Sequence, residues 1–234
     1  MKNKLIGIIG AMDIEVNEII ASMTEKEEKS ISSVKFVKGK LFNREVVVAK
    51  CGIGKVFAAI CAQTMILKFA PTLVIKTGVA GGIASGLGIG DVVVAENVCQ
   101  HDMDTSPIGD PVGLISGINK IYFETDANAS EALAASLAKF GINTVRGTIA
   151  TGDQFVSTSA KKTYLQNTFG AAACEMEGGS IGHVCYLNNT PFAVLRSISD
   201  KANEEATMDF PTFAKRSADG YVKVVTDFAD NWTE

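Results

Sequence analysis

The chain has 234 residues, 47% hydrophobic and 21% charged, with five prolines and a formal net charge of −4. This composition belongs to a globular chain with a large core and excludes a disordered or fibrous one. Charges of both signs are scattered along it, with no basic stripe of the kind a nucleic-acid binder carries, so no nucleic-acid partner is expected.

The opening MKNKLIGIIGAM sets two lysines before an apolar run, as a signal peptide does. The run is short, Asp13 and Glu15 end it, and no small-residue cleavage site follows. Residues 5–9 therefore read as a buried first strand closed by Gly10. Asp13 can cap the next helix, where Val16, Ile19, Ile20 and Met23 fall at helical spacing. The charged stretch 25–29 reads as a solvated connection. Residues 34–38 and 45–49 form a strand pair around a turn at 41–44. Gly52-Ile53-Gly54 opens a mostly apolar helix that runs to about Phe69 and is stopped by Pro71.

Residues 73–76 read as another buried strand, ending in the glycine-rich Thr77-Gly78-Val79-Ala80-Gly81-Gly82. A strand at 91–95 follows, then a long loop over 99–121, a length that is usually functional or disordered. A helix at 130–140 has Gly141 just past its end. A strand at 145–150 leads into Thr151-Gly152-Asp153-Gln154-Phe155. A helix near 159–168 comes next, then a strand entering Cys174-Glu175-Met176-Glu177 and a helix over 178–187. The last strand, 191–198, finishes at Ser199-Asp200, and the terminal helix carries Phe210, Phe213, Ser217, Tyr221, Val224 and Phe228 on one stripe. This alternation predicts an α/β fold: one domain over 1–234, three α/β/α layers, and a central twisted, mostly parallel mixed sheet. No apolar stretch approaches the roughly 20 residues of a membrane span. The five cysteines lie in apolar runs and read as reduced buried thiols of a cytoplasmic protein.

In open α/β sheets, ligands bind at the carboxyl ends of the strands. Five polar or glycine clusters fall there: 10–15, 52–54, 77–82, 175–177 and 196–200. The glycine runs lack both GxGxxG after the first strand and GxxxxGK[ST], so a dinucleotide or phosphate loop is not indicated. Gly78, Gly81 and Gly82 serve either turn chemistry or ligand contact. Glu175 and Glu177 flank Met176 and point to opposite sides if extended, so one can face a site while the other braces the scaffold. Asp200 directly follows a buried run; a carboxyl there is desolvated and suited to general acid work, or it caps the next helix. His101 and His183 are far apart and lack paired ligand spacing, so no metal and no cofactor are expected.

Taken together, GAMDIEV, CGIGKV, KTGVAGGI, TGDQFV, CEMEG and RSISD stand in an order and spacing that resembles the 5′-methylthioadenosine/S-adenosylhomocysteine nucleosidases of the nucleoside phosphorylase superfamily. The resemblance runs from Leu5 to about Phe228. It implies hydrolysis of an adenine N-riboside to adenine and a thioribose, through an oxocarbenium-like transition state that needs one group to protonate the purine and another to activate water. Carried over residue by residue, Asp200 protonates adenine N7 with Ser199 orienting it, and Glu15 holds the water. Glu177 binds the ribose hydroxyls, Met176 packs on the sugar, and Arg196 approaches the sugar-side network. Phe155 stacks on the adenine while the Val156 backbone reads its edge. Val79, Ala80 and Gly81 face the substrate, and Met12, Ile53 and Phe210 line an apolar pocket for the 5′-thio group. Thr105 and Ile108 of the 99–121 loop reach the neighbouring site of a homodimer.

The chain departs from that pattern at three places. Val79 replaces a usual serine. Lys76 stands where an uncharged residue is usual, at a position that can carry a phosphate-binding arginine in phosphorylase relatives. Thr105 and Ile108 replace larger apolar groups. A phosphate-dependent phosphorylase and a non-catalytic nucleotide sensor are the competing readings, and 5′-deoxyadenosine or an aminofutalosine-type nucleoside are alternative substrates. Glu15 is an anion where phosphate would sit, and Asp200 opposite Glu15 has no purpose in a mere binder.

Overall fold

The computed structural model describes residues 4–232, with the backbone alone described over 216–221. In chain order the elements are β1 (Ile6–Gly10), α1 (Asp13–Ser22), β2 (Thr24–Ile31), β3 (Val34–Leu41), β4 (Arg44–Lys50), α2 (Lys55–Phe69), β5 (Leu73–Lys76), β6 (Val79–Gly82) and β7 (Val92–Gln100). They continue with β8 (Tyr122–Glu124), α3 (Ala127–Lys139), β9 (Thr144–Thr151), α4 (Ser159–Phe169), β10 (Ala171–Glu175), α5 (Gly178–Leu187), β11 (Phe192–Asp200) and α6 (Ala206–Asn231). Among the described residues the strands form one mixed sheet in the order β2-β3-β4-β1-β5-β11-β6-β10-β9-β7-β8. The run β4-β1-β5-β11-β6 is parallel throughout.

Both faces of the central strands are apolar, and alternation along each strand assigns its side chains to one layer or the other. Ile6 and Ile8 of β1, with Ala193 and Leu195 of β11, join the core under α1, α3 and α6. Ile9, Val194 and Ile198 join the core under α2 and α5. The expected α/β/α layering with a mostly parallel mixed sheet is therefore the observed one. Ser217 and Tyr221 of the expected terminal stripe lie outside the described side chains, while Val224 and Phe228 are buried.

Several local expectations need correction. Residues 25–29 are not a connection but the middle of β2, an edge strand paired antiparallel with β3. Its backbone is satisfied on one side while its exposed Glu and Lys side chains guard the open edge against pairing with another chain. The glycine-rich 79–82 segment is not a turn but β6, clamped between β11 and β10. A short strand, β8, follows the long loop and pairs with β7. Asp13 does not cap α1: it is the first helical residue, exposed and paired with Lys50, and Glu15 reaches back instead to the Met12 N–H. Helix α3 starts earlier than expected because Asp126 caps it, accepting from the Ala129 N–H at 2.8 Å.

The sheet also curls. β7 pairs antiparallel with β11 and β8 and parallel with β9, so β11, β6, β10, β9 and β7 close into a ring. Strands running in opposite directions thus end near one another: Cys174 of β10 and Asp200 of β11 both lie in register with Gly81. Helix α5 lies close over β7 because its face is glycine. A Cβ at Gly182 would come within 2.6 Å of Val98 and 2.9 Å of Phe192. Gly182→Val should therefore lower stability by about 1–3 kcal/mol through overpacking, read as a drop in the denaturation midpoint.

Candidate active site

One cavity of about 350 Å³ opens where these strand ends meet. Its lining brings together Glu15, Met12, Ile53, Val79, Ala80, Gly81, Phe155, Val156, Met176, Glu177, Ser199, Asp200 and Phe210, distant in sequence yet on one surface. Ala11, Gln154, Cys174 and Glu175 also line it and were not expected there. Arg196 lies beneath the lining rather than in it, and Thr105 and Ile108 do not reach the cavity of their own chain.

The floor is a cluster of buried charges; among Glu15, Lys76, Glu175, Glu177 and Arg196 none is more than 7% exposed. Glu15, in the first turn of α1, accepts from the backbone N–H groups of Ala11 and Met12 through Oε2 and of Val79 through Oε1. Three backbone donors leave it little freedom to rotate. Gly78 makes the approach possible: a Cβ there would fall within 2.4 Å of Glu15 Oε1 and 2.3 Å of Arg196 Nη1. Glu177 accepts from the Gly54 N–H at 3.1 Å and from Arg196 Nη2 at 3.1 Å. Burial raises its pKa, and the Lys76 ammonium works against that shift.

Glu175 is the brace of the pair. It accepts from the N–H groups of Glu177 and Gly178 at the start of α5, from the Thr151 hydroxyl, and from Arg196 Nη2. An anion at a helix N-terminus with these donors holds the 175–178 turn and presents Glu177 to the cavity. Lys76, at the end of β5, has Nζ 3.7 Å from Glu15 Oε2 and 3.6 Å from Glu177 Oε2.

The opposite end of the cavity is built by Asp200. Its Oδ2 accepts from the Ser199 hydroxyl at 2.9 Å and its Oδ1 from the Ala202 N–H at 3.0 Å. It does not cap the following helix, since α6 begins only at Ala206 after Glu205. Burial raises its pKa against those two hydrogen bonds, and Asp209 adds to the rise. Beside it, Phe155 meets Phe210 edge to face at 5.7 Å and remains half exposed at the mouth. The loop carrying Phe155 is tied down at the rim. Asp102 takes Lys55 Nζ at 2.6 Å and the Asp153 N–H at 2.9 Å, while Asp153 accepts from the Lys55 N–H at 2.8 Å.

Among the described residues no group of three or more His, Cys, Asp or Glu side chains could hold a metal ion. The His101 ring packs on Gly152, and burial lowers its pKa to about 4, so it stays neutral. All five cysteines are free and buried. No helix among the described residues is long and apolar enough to cross a membrane. Glu15, Glu177 and Asp200 fall within the polar clusters that follow apolar strand runs; Cys174 and Gln154 stand outside those clusters and enter by the folding of β10 and the 152–156 loop.

The chain is 40% identical over 210 residues to a 5′-methylthioadenosine/S-adenosylhomocysteine nucleosidase of Shewanella loihica, covering 89% of this chain and 91% of that protein. Its structure superimposes, with a TM-score of 0.94 and 32% identity, on the 5′-methylthioadenosine/S-adenosylhomocysteine nucleosidase of Neisseria meningitidis in complex with methylthio-immucillin-A, covering 98% of this chain and all of that one. A futalosine hydrolase of Helicobacter pylori matches with a TM-score of 0.94 and 37% identity, over 98% of this chain and 99% of that one. The family model of the phosphorylase superfamily matches residues 5–230. The chain belongs to the phosphorylase superfamily and, within it, to the 5′-methylthioadenosine/S-adenosylhomocysteine nucleosidase family.

Proposed function

We propose that the chain hydrolyses the N-glycosidic bond of 5′-methylthioadenosine, S-adenosylhomocysteine or both, releasing adenine and the 5-thio-substituted ribose. The observation that carries this reading is the pairing within one cavity of a desolvated acid, Asp200, and a carboxylate held by three backbone donors, Glu15. As the C1′–N9 bond breaks, its electrons move into the purine and Asp200 delivers a proton to N7. Water adds to C1′ and gives its proton to Glu15. The anionic floor favours the positive ribosyl centre formed between these events. Glu177 accepts from the ribose hydroxyls, Met176 packs on the sugar, and Arg196 acts through Glu177 from below. Phe155 stacks on the adenine against Phe210, Val156 reads its edge, and Met12, Ile53 and Phe210 take the thioether, which offers little hydrogen bonding. A carboxyl at 200 donates to N7 and, once ionised, accepts from a 6-amino group, which favours adenine.

Phosphate is disfavoured as nucleophile. Lys76 is engaged by Glu15 and Glu177, and Arg196 by Glu175 and Glu177, so an entering phosphate meets anions rather than free cations. The likeness to a futalosine hydrolase supports a second reading, in which larger 5′ groups such as that of aminofutalosine are also accepted past the half-exposed Ile53. Rates on a panel differing only at the 5′ end rank these substrates.

A homodimer completes the site in this reading. Ile108, on the 99–121 loop, is 82% exposed, and Val56, Phe57 and Ile60 expose an apolar face on α2. The wild type should sediment at twice the 24.7 kDa chain mass, and Val56→Asp should yield monomer with kcat/KM down by about tenfold or more.

Adenine release from 5′-methylthioadenosine should proceed in phosphate-free buffer, and Asp200→Asn should bind substrate yet lose about 10²-fold or more in kcat. Product that forms only on adding phosphate, or near wild-type turnover in Asp200→Asn, refutes the mechanism. The acid must be protonated in the free enzyme, so kcat/KM should fall as pH rises through the raised Asp200 pKa. The Ser199 hydroxyl stabilises the ionised form, so Ser199→Ala should move that alkaline limb to higher pH in a kcat/KM profile.

A further inference from the structure

The nucleosidase chemistry above leaves one buried charge without a task. We propose that Lys76 is a positioning residue that keeps Glu15 and Glu177 ionised at the same time, by placing one ammonium between them. The inference rests on the nucleosidase reading for what the two carboxylates do, and on the geometry alone for how they are held.

Lys76 ends β5, with β1 on one side and β11 on the other, and its side chain has no exposed surface. Beyond the two carboxylates, its ammonium donates to the Thr77 carbonyl at 3.0 Å. An ammonium in such a place is unfavourable unless anions surround it, and the same holds for each carboxylate in return. The groups facing it come from every side: Glu15 from α1, Glu177 from the turn before α5, Glu175 and Arg196 behind Glu177, and the thiols Cys51 and Cys61 from the α2 side. Burial raises both thiol pKa values, that of Cys51 to about 11, so neither supplies a charge near neutrality. The cluster then holds three anions against two cations, and Arg196 is committed to Glu175 and Glu177.

Without Lys76, Glu15 and Glu177 would face one another across a desolvated gap, and one would take up a proton to relieve the repulsion. If it is Glu15, no base remains for the water; if it is Glu177, an acceptor for the ribose hydroxyls is lost. Burial already raises the Glu177 pKa and Lys76 opposes the rise, which agrees with this account. The loss would then appear at low pH and recover as pH rises. A side chain that only filled space would lower activity equally at every pH.

The test compares wild type with Lys76→Met and Lys76→Gln, assayed on 5′-methylthioadenosine in phosphate-free buffer from about pH 6 to pH 8. The variant-to-wild-type ratio of kcat/KM should climb as pH rises, by up to about tenfold for each unit by which the carboxylate pKa moves. Thermal unfolding over the same pH values reads the effect without activity. A carboxylate whose folded pKa is raised above its unfolded value contributes stability at low pH that is lost as pH rises toward the folded pKa. The variants should therefore fall further below wild type in Tm as pH rises. If Lys76→Met does not fold, Lys76→Gln, which is one atom shorter but keeps a donor, carries the comparison. A flat kcat/KM ratio together with a constant Tm difference overturns the role of Lys76. Absence of hydrolysis by wild type overturns the nucleosidase reading instead, and the Tm series still decides on Lys76.

Discussion

Arg196 is held between Glu175 and Glu177 in a part of the sheet almost closed to solvent, and most of the cavity floor is arranged around that contact. A guanidinium buried alone would be prohibitively unfavourable, and so would either carboxylate. Together they are tolerated because each remaining oxygen has a donor of its own. Glu175 takes the first N–H groups of α5 and the Thr151 hydroxyl; Glu177 takes the Gly54 N–H. These donors come from β9, the loop before α2 and the start of α5, so the ion pair ties three separate elements together.

Its geometry is available only because the sheet curls. In a flat parallel sheet all strand ends point one way, and β10, which runs antiparallel to β6, would carry Glu175 away from Asp200. Pairing of β7 with β11 closes the ring and turns these ends toward a shared opening. β6 can occupy the narrow space between because it is built of Val-Ala-Gly-Gly: a Cβ at Gly81 would lie 2.9 Å from Asp200 Oδ1 and 3.2 Å from Cys174 Sγ. The glycines that invite a turn reading are there to let two functional strands approach a third.

Legibility in the sequence tracked how local the cause was. β5 and α5 were readable to the residue because apolar runs end at proline, glycine or charge. β2 was not, since its side chains are solvated and only the backbone of β3 makes it a strand. β6 was not, since its composition answers to neighbours distant in the chain. At the site, the positions of Glu15, Glu177 and Asp200 after buried strands marked them as candidates, but helix capping was equally open for Asp200 until the distance to α6 was known.

The sequence by itself determined the alternation of strands and helices, the apolar faces that bury the sheet on both sides, and the identity of the family through six short motifs in register. Those are properties of residue type and spacing, which the chain carries whether folded or not. Only the tertiary structure decided that Lys76, a departure from the motif, lies between Glu15 and Glu177, that Arg196 sits under the cavity instead of in it, and that Glu175 is the brace. Charge pairing and desolvation depend on separations of a few ångströms between groups on different elements, such as Lys76 and Glu177, and no local pattern encodes those distances.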